Sequence, residues 1–133
     1  MLTQFRLLTH AMKRRILIIE DELCIREALQ EILEMQGYDV TIATNGKQAL
    51  SILEAGPLPS MILLDYLMPE MNGVDFRRAQ LTFERLRNIP VVLMTADNTP
   101  SRLIVDDDLT FMKKPLDLHK LIALVKELSQ KAG

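Results

Sequence analysis

Asp65 closes the apolar run Met61-Ile62-Leu63-Leu64. A carboxylate in that position is partly buried, which costs stability unless something compensates its charge. Three further apolar runs end in groups that could do so. Ile16-Leu17-Ile18-Ile19 leads into Glu20-Asp21-Glu22, Val91-Val92-Leu93-Met94 into Thr95-Ala96, and Leu109-Thr110-Phe111-Met112 into Lys113-Lys114-Pro115. Taken singly, each is ordinary. An acid after a strand usually caps a helix, a Thr at a strand end is usually a good strand former, and a Lys before Pro usually sits in a solvated loop. Brought together, they have a definite chemistry. Two carboxylates ~4 Å apart repel by about 4 kcal/mol at an effective dielectric constant of ~20, and a divalent cation reverses the sign of that interaction. Oxygen ligands from two or three carboxylates suit Mg²⁺, which keeps several waters and can also hold a phosphoryl oxygen. Asp65 could then act as a nucleophile toward phosphorus, with the metal and Lys114 neutralising the phosphoryl oxygens and Thr95 donating its hydroxyl to one of them.

For this to happen, distant segments must deliver their ends to one place, and the periodicity of the chain says how. Arg15–Glu20 is apolar without alternation, as in a strand covered on both faces. From Glu22 to Gln36, apolar residues recur with helical spacing at Ile25, Ala28, Leu29, Ile32, Leu33 and Met35, and Gly37 supplies the stop. Tyr38–Ala43 alternates as a second strand. Asn45 caps a helix carrying Ala49, Leu50, Ile52 and Leu53, which Gly56-Pro57 ends. Ser60–Tyr66 is a third strand, Pro69 to Gly73 a loop and Val74–Leu86 a helix. Ile89–Thr95 is a fourth strand, with Pro90 tolerated at its beginning, and Leu109–Lys113 a weaker fifth. Asp117 caps a last helix that sets Leu118, Leu121, Ile122, Val125 and Leu128 on one face. Strand and helix alternate, which requires crossover connections and a parallel α/β sheet with helices on both faces. In such doubly wound sheets, sites form outside the carboxyl ends of the strands, where all the groups named above fall.

The totals fit this reading. A chain of 133 residues suits one domain and buries enough surface to need no staple. A net charge of -2 gives no sign of nucleic-acid binding. The lone cysteine, Cys24, excludes an internal disulfide and fits a reducing cytosol. No apolar run approaches the roughly 20 residues that cross a bilayer. Residues 1–13 form an N-terminal extension whose first eleven residues are expected to be poorly ordered, because MKRRILIIEDE from Met12 would itself be a natural start; a short N-terminal helix is the competing reading. His10 and His119 stand singly and are not expected to ligate metal. Cys24, beside acids near the start of the first helix, is not expected to be a redox group.

The stretches ILIIEDE, LLDYLMPEMNG, VVLMTA and FMKKP, in this order, resemble the receiver domain of two-component response regulators, of the chemotaxis-receiver type. The resemblance covers residues 14–131. It implies a flavodoxin-like fold with five parallel strands, Asp65 as phosphoacceptor, Asp21 as direct metal ligand and Glu20 as the second acidic position. It also implies a metal contact from the Leu67 backbone carbonyl, Thr95 as the switch hydroxyl, Phe111 as the aromatic that follows it, and Lys114 as the phosphate-binding lysine before a cis Pro115. The implied cofactor is Mg²⁺, and the implied donor is a histidine kinase or histidine phosphotransfer protein. Slow self-dephosphorylation and signalling in place of turnover also follow from the resemblance, while the cytoplasmic location is expected from the lone cysteine.

The chain departs from the family pattern in three places. Glu20 stands where Asp is commoner, and its extra methylene alters its reach to a metal. Lys113 competes with Lys114 for the phosphate role, although the adjacent Pro favours Lys114. Only fourteen residues, Asp97–Thr110, separate Ala96 from Phe111, and they include Pro100 and Asp106-Asp107-Asp108. The crossover helix there is expected to be short or irregular. That helix borders the family's usual output and dimerisation face, so a homodimer and a docked protein target are both open, as is a fused output domain. An aspartyl phosphatase would want its nucleophile after the first strand and a second Asp two residues on, where this chain has Leu23. A flavin or nucleotide binder would want a phosphate loop after the first strand in place of three acids.

Overall fold

The computed structural model describes residues 13–96 and 108–131. Its elements are β1 (Arg15–Ile19), α1 (Leu23–Met35), β2 (Asp39–Ala43), α2 (Gly46–Ala55), β3 (Met61–Asp65), α3 (Gly73–Thr82), β4 (Val91–Thr95), β5 (Thr110–Lys113) and α4 (Leu118–Lys131). The five strands form one parallel sheet in the order β2-β1-β3-β4-β5, which is the flavodoxin-like order. β3 and β4 are buried throughout and β1 in all but its first residue, whereas the edge strands β2 and β5 are only partly covered. This accounts for the unbroken apolar runs in the centre and the weaker ones at the edges.

Because side chains alternate across a strand, the central runs feed two cores. Leu17, Ile19, Ile62, Leu64, Val91 and Leu93 pack with Leu53 of α2 and Phe76 of α3 on one face. Ile16, Ile18, Met61, Leu63, Val92 and Met94 pack with Leu29 and Leu33 of α1 and Leu121 and Val125 of α4 on the other. The caps expected at Asn45 and Asp117 are present. The Asn45 side chain accepts from the Gln48 amide at 2.8 Å, and Asp117 Oδ1 accepts from the amides of His119 and Lys120 at 3.0 and 3.2 Å.

Two expectations need correction, at Leu118 and at the end of α3, and α1 buries fewer of its apolar residues than it carries. Ala28 and Met35 lie on the solvent side of α1, with Met35 77% exposed; Arg26 takes the inward position one turn before Leu29. Leu118 is likewise exposed at the start of α4. The helix after Gly73 does not run to Leu86 but stops at Thr82, where Phe83 turns extended. The carbonyls that follow are satisfied by a side chain: buried Gln80 donates Nε2 to Leu86 O at 2.9 Å and to Ile89 O at 3.1 Å, and accepts from Arg77 Nη1 at 2.9 Å. The expected irregular helix over 97–110 and the N-terminal extension over 1–13 fall almost wholly outside the described residues. No described helix is long and apolar enough to cross a membrane.

Candidate functional site

The sheet register determines which strand ends meet. Ile19 lies beside Leu64, Asp65 beside Met94, and Thr95 beside Lys113. Glu20 extends β1 by one step, its amide donating to Ala43 O at 3.1 Å, and the Lys114 amide does the same for β5 by donating to Thr95 O at 2.6 Å. Glu20, Asp65, Thr95 and Lys114 therefore share the carboxyl edge of the sheet, although up to 94 residues separate them in sequence.

Carboxylate oxygens of Glu20, Asp21 and Asp65 lie within 4.8 Å of one another. Glu20 is fully buried and Asp65 is 4% exposed, whereas Asp21 faces solvent. Lys114 Nζ reaches into this cup, 2.9 Å from Asp65 Oδ1 and 3.4 Å from Glu20 Oε1. The other Glu20 oxygen accepts from the Glu22 amide at 3.3 Å. One ammonium is too little cation for three acids. Burial, reinforced by the neighbouring Asp65 carboxylate, pushes the Glu20 carboxyl from 4.5 up to about 7. Partial burial works to lower the Lys114 ammonium, but its hydrogen bond and charge pairing with Asp65, and then with Glu20, outweigh this and raise it. Oxygen-only donors with two buried members, one exposed member and an uncompensated negative charge fit Mg²⁺.

The loop from Asp65 to α3 is held tightly. A Cβ at Gly73 would stand 2.5 Å from Leu93 Cδ1 and 2.8 Å from the Asp65 carbonyl oxygen, so only glycine lets α3 begin here. The Gly73 amide donates to Tyr66 O at 2.8 Å. Asn72 and Asp75 form a reciprocal capping box, and Glu70 adopts a positive φ of 69° in the turn between. Leu67 projects outward, 66% exposed, two residues beyond Asp65, while Met68 is buried. Thr95 is buried at the end of β4, and half-buried Phe111 packs from the neighbouring β5 against the same core as Leu93. The Lys114-Pro115 bond is cis, as the resemblance implies.

One residue of the site escaped the sequence reading. Arg26 is buried on α1, and its Nη1 donates to the backbone carbonyls of Glu20 at 2.9 Å and Asp21 at 3.3 Å. It lies with Leu29 and Leu33 on the buried face of α1, where an arginine is not expected from sequence.

The family described as response regulator receiver domain matches residues 16–126. The two-component response regulator ORR11 of rice (Oryza sativa) is 33% identical over 116 residues, spanning 83% of this chain and 79% of that protein. The phosphate regulon transcriptional regulatory protein PhoB of Pseudomonas aeruginosa is 33% identical over 124 residues, but only 53% of its length is covered. Among solved structures, the signal receiver domain of a signal transduction histidine kinase from Syntrophus aciditrophicus superposes with a TM-score of 0.79 at 36% identity, covering 89% of this chain and 91% of that one. The receiver domain of sensor histidine kinase PA1611 from Pseudomonas aeruginosa, which carries a magnesium ion in its active-site cleft, superposes with a TM-score of 0.80 at 23% identity, covering 89% and 98%.

Proposed function

Because this chain belongs to the response regulator receiver domain family of two-component systems, we propose that Asp65 is its phosphoacceptor and that the cup around Asp65 binds Mg²⁺. The observation that supports the reading is the meeting of three carboxylates, Asp65 among them, and one ammonium at a single sheet edge. Glu20, Asp21 and Asp65, with the backbone carbonyl of Leu67, would hold the metal. When bound, Mg²⁺ neutralises charge on the phosphoryl oxygens.

The donor is the phosphohistidine of a histidine kinase or phosphotransfer protein. An Asp65 carboxylate oxygen attacks phosphorus as the bond to the histidine nitrogen breaks, and the electron pair of that bond returns to the nitrogen. Lys114, already 2.9 Å from Asp65, then pairs with a phosphoryl oxygen. Thr95 turns inward to donate its hydroxyl to another, and Phe111 moves into the space behind it. Phosphorylation thus shifts a population between two arrangements of β4 and β5. The chain works in the cytoplasm as a signalling switch, promoting only its own phosphorylation and slow dephosphorylation. Its output goes to a docked protein, a second copy of itself or a fused domain.

The test is incubation with acetyl phosphate, with and without Mg²⁺. Wild type should gain one acid-labile phosphoryl group only with Mg²⁺, and amide shifts should move at residues 95 and 110–114. Asp65→Asn should stay folded and gain none. Labelling that persists in Asp65→Asn, or that ignores Mg²⁺, would overturn the assignment.

A further inference from the structure

The three residues between β1 and α1, Glu20 to Glu22, carry two of the three carboxylates of the cup; the Glu22 amide and Lys114 hold the buried Glu20 carboxylate, which leaves Asp21 to be oriented. The N-cap position of α1 is Glu22, which makes no side-chain cap hydrogen bond. Asp21 is exposed. The constraint comes from α1. Arg26 is 8% exposed, and its Nη1 donates both to the Glu20 carbonyl at 2.9 Å and to the Asp21 carbonyl at 3.3 Å. Those carbonyls belong to the two peptide planes that flank the Asp21 Cα. Each plane is rigid, so fixing both fixes the φ and ψ of Asp21, and with them the direction of its Cα–Cβ bond.

The guanidinium occupies this position at a cost. Its Nε is buried and finds no hydrogen-bond partner among the described residues, an arrangement that calls for an explanation. A cation pinned beneath an acidic loop supplies one. We propose that Arg26 is a positioning residue for the metal site: it holds the Glu20-Asp21 backbone so that the exposed Asp21 carboxylate stays aimed at the cup. This rests on the Mg²⁺ reading above. Groups that orient metal ligands, without touching the metal, typically affect affinity about 10- to 100-fold.

The test is Mg²⁺ titration of the full chain, read from amide shifts, for wild type, Arg26→Met, Arg26→Lys and Leu33→Ala. Leu33 is a buried residue of α1 remote from the loop, and its truncation controls for a general loss of stability. Arg26→Met, neutral and of similar length, should weaken Mg²⁺ binding about 10-fold or more. Arg26→Lys, which keeps a cation and a donor, should recover part of that loss, and folded Leu33→Ala should bind like wild type. If Arg26→Met does not fold, Arg26→Lys is read against wild type in the same way, and weakened binding with an intact fold supports the role. An affinity unchanged in the folded Arg26 variants, or weakened equally in Leu33→Ala, overturns it while leaving the metal site standing. Wild type that binds no Mg²⁺ overturns the metal reading as well.

Discussion

Glu20 is the residue on which the electrostatics of the site turn. It is fully buried, shares Lys114 with Asp65, and has a carboxyl pushed up to about 7 by burial and then by Asp65. In the unfolded chain the same carboxyl titrates near its ordinary 4.5. A raised folded-state value means that its contribution to stability is complete below pH ~4.5 and is lost as pH rises through about 7. The metal-free protein should therefore lose thermal stability relative to Glu20→Gln as pH rises through that window, and Mg²⁺ at neutral pH should close the gap by taking the place of the proton. Melting curves of both proteins at pH 5 to 8, with and without Mg²⁺, check this; a wild type–variant difference that is flat with pH would contradict it. At this scale the sequence was informative where one residue broke an expectation. A carboxylate closing four apolar residues, as Asp65 does, needs compensation. Arg26 broke no such pattern, because an arginine on an amphipathic helix is exposed by default and only tertiary packing turned this one inward.

At the scale of elements, the site depends on short, stiff connections. The loop from β3 to α3 passes so close to its own sheet that a Cβ at Gly73 would collide with the Asp65 carbonyl and Leu93. Gly73→Ala should destabilise the protein by about 1–3 kcal/mol and displace the loop that carries Leu67. Urea unfolding measures the first effect and Mg²⁺ affinity the second; an alanine variant as stable as wild type would show that α3 can retreat without cost. Element existence, the caps at Asn45 and Asp117, and the two-faced burial of the central strands could all be inferred from periodicity and side-chain chemistry. The end of α3 could not. Buried Gln80, from within α3, holds the Leu86 and Ile89 carbonyls of the non-helical turn that follows, a contact that only the folded chain brings about. The exposure of Ala28, Met35 and Leu118 was hidden for a related reason. Periodicity gives a face about 100° wide, and which of its edges is covered depends on the neighbouring element.

For the whole molecule, the parallel sheet does what no single segment can. Its two packed faces fix five strands in register, and the register brings Glu20, Asp65, Thr95 and Lys114 to one edge. That convergence was legible because crossover topology sends every strand's carboxyl end the same way. The distances within the cup were not, since a single-residue slip of any strand would have moved a carboxylate to the other face. The chain covers about half the length of PhoB but most of ORR11, so relatives of both extents share this domain. The central claim is that the convergence makes Asp65, among three clustered carboxylates, the one that takes the phosphoryl group. Borohydride reduction of the acetyl phosphate-treated protein, followed by peptide mass mapping, reads this directly, because an acyl phosphate is reduced to an alcohol at the residue that carried it. Conversion of residue 65 alone to homoserine is the expected result; reduction at Glu20 or Asp21, or at no carboxylate, would contradict it.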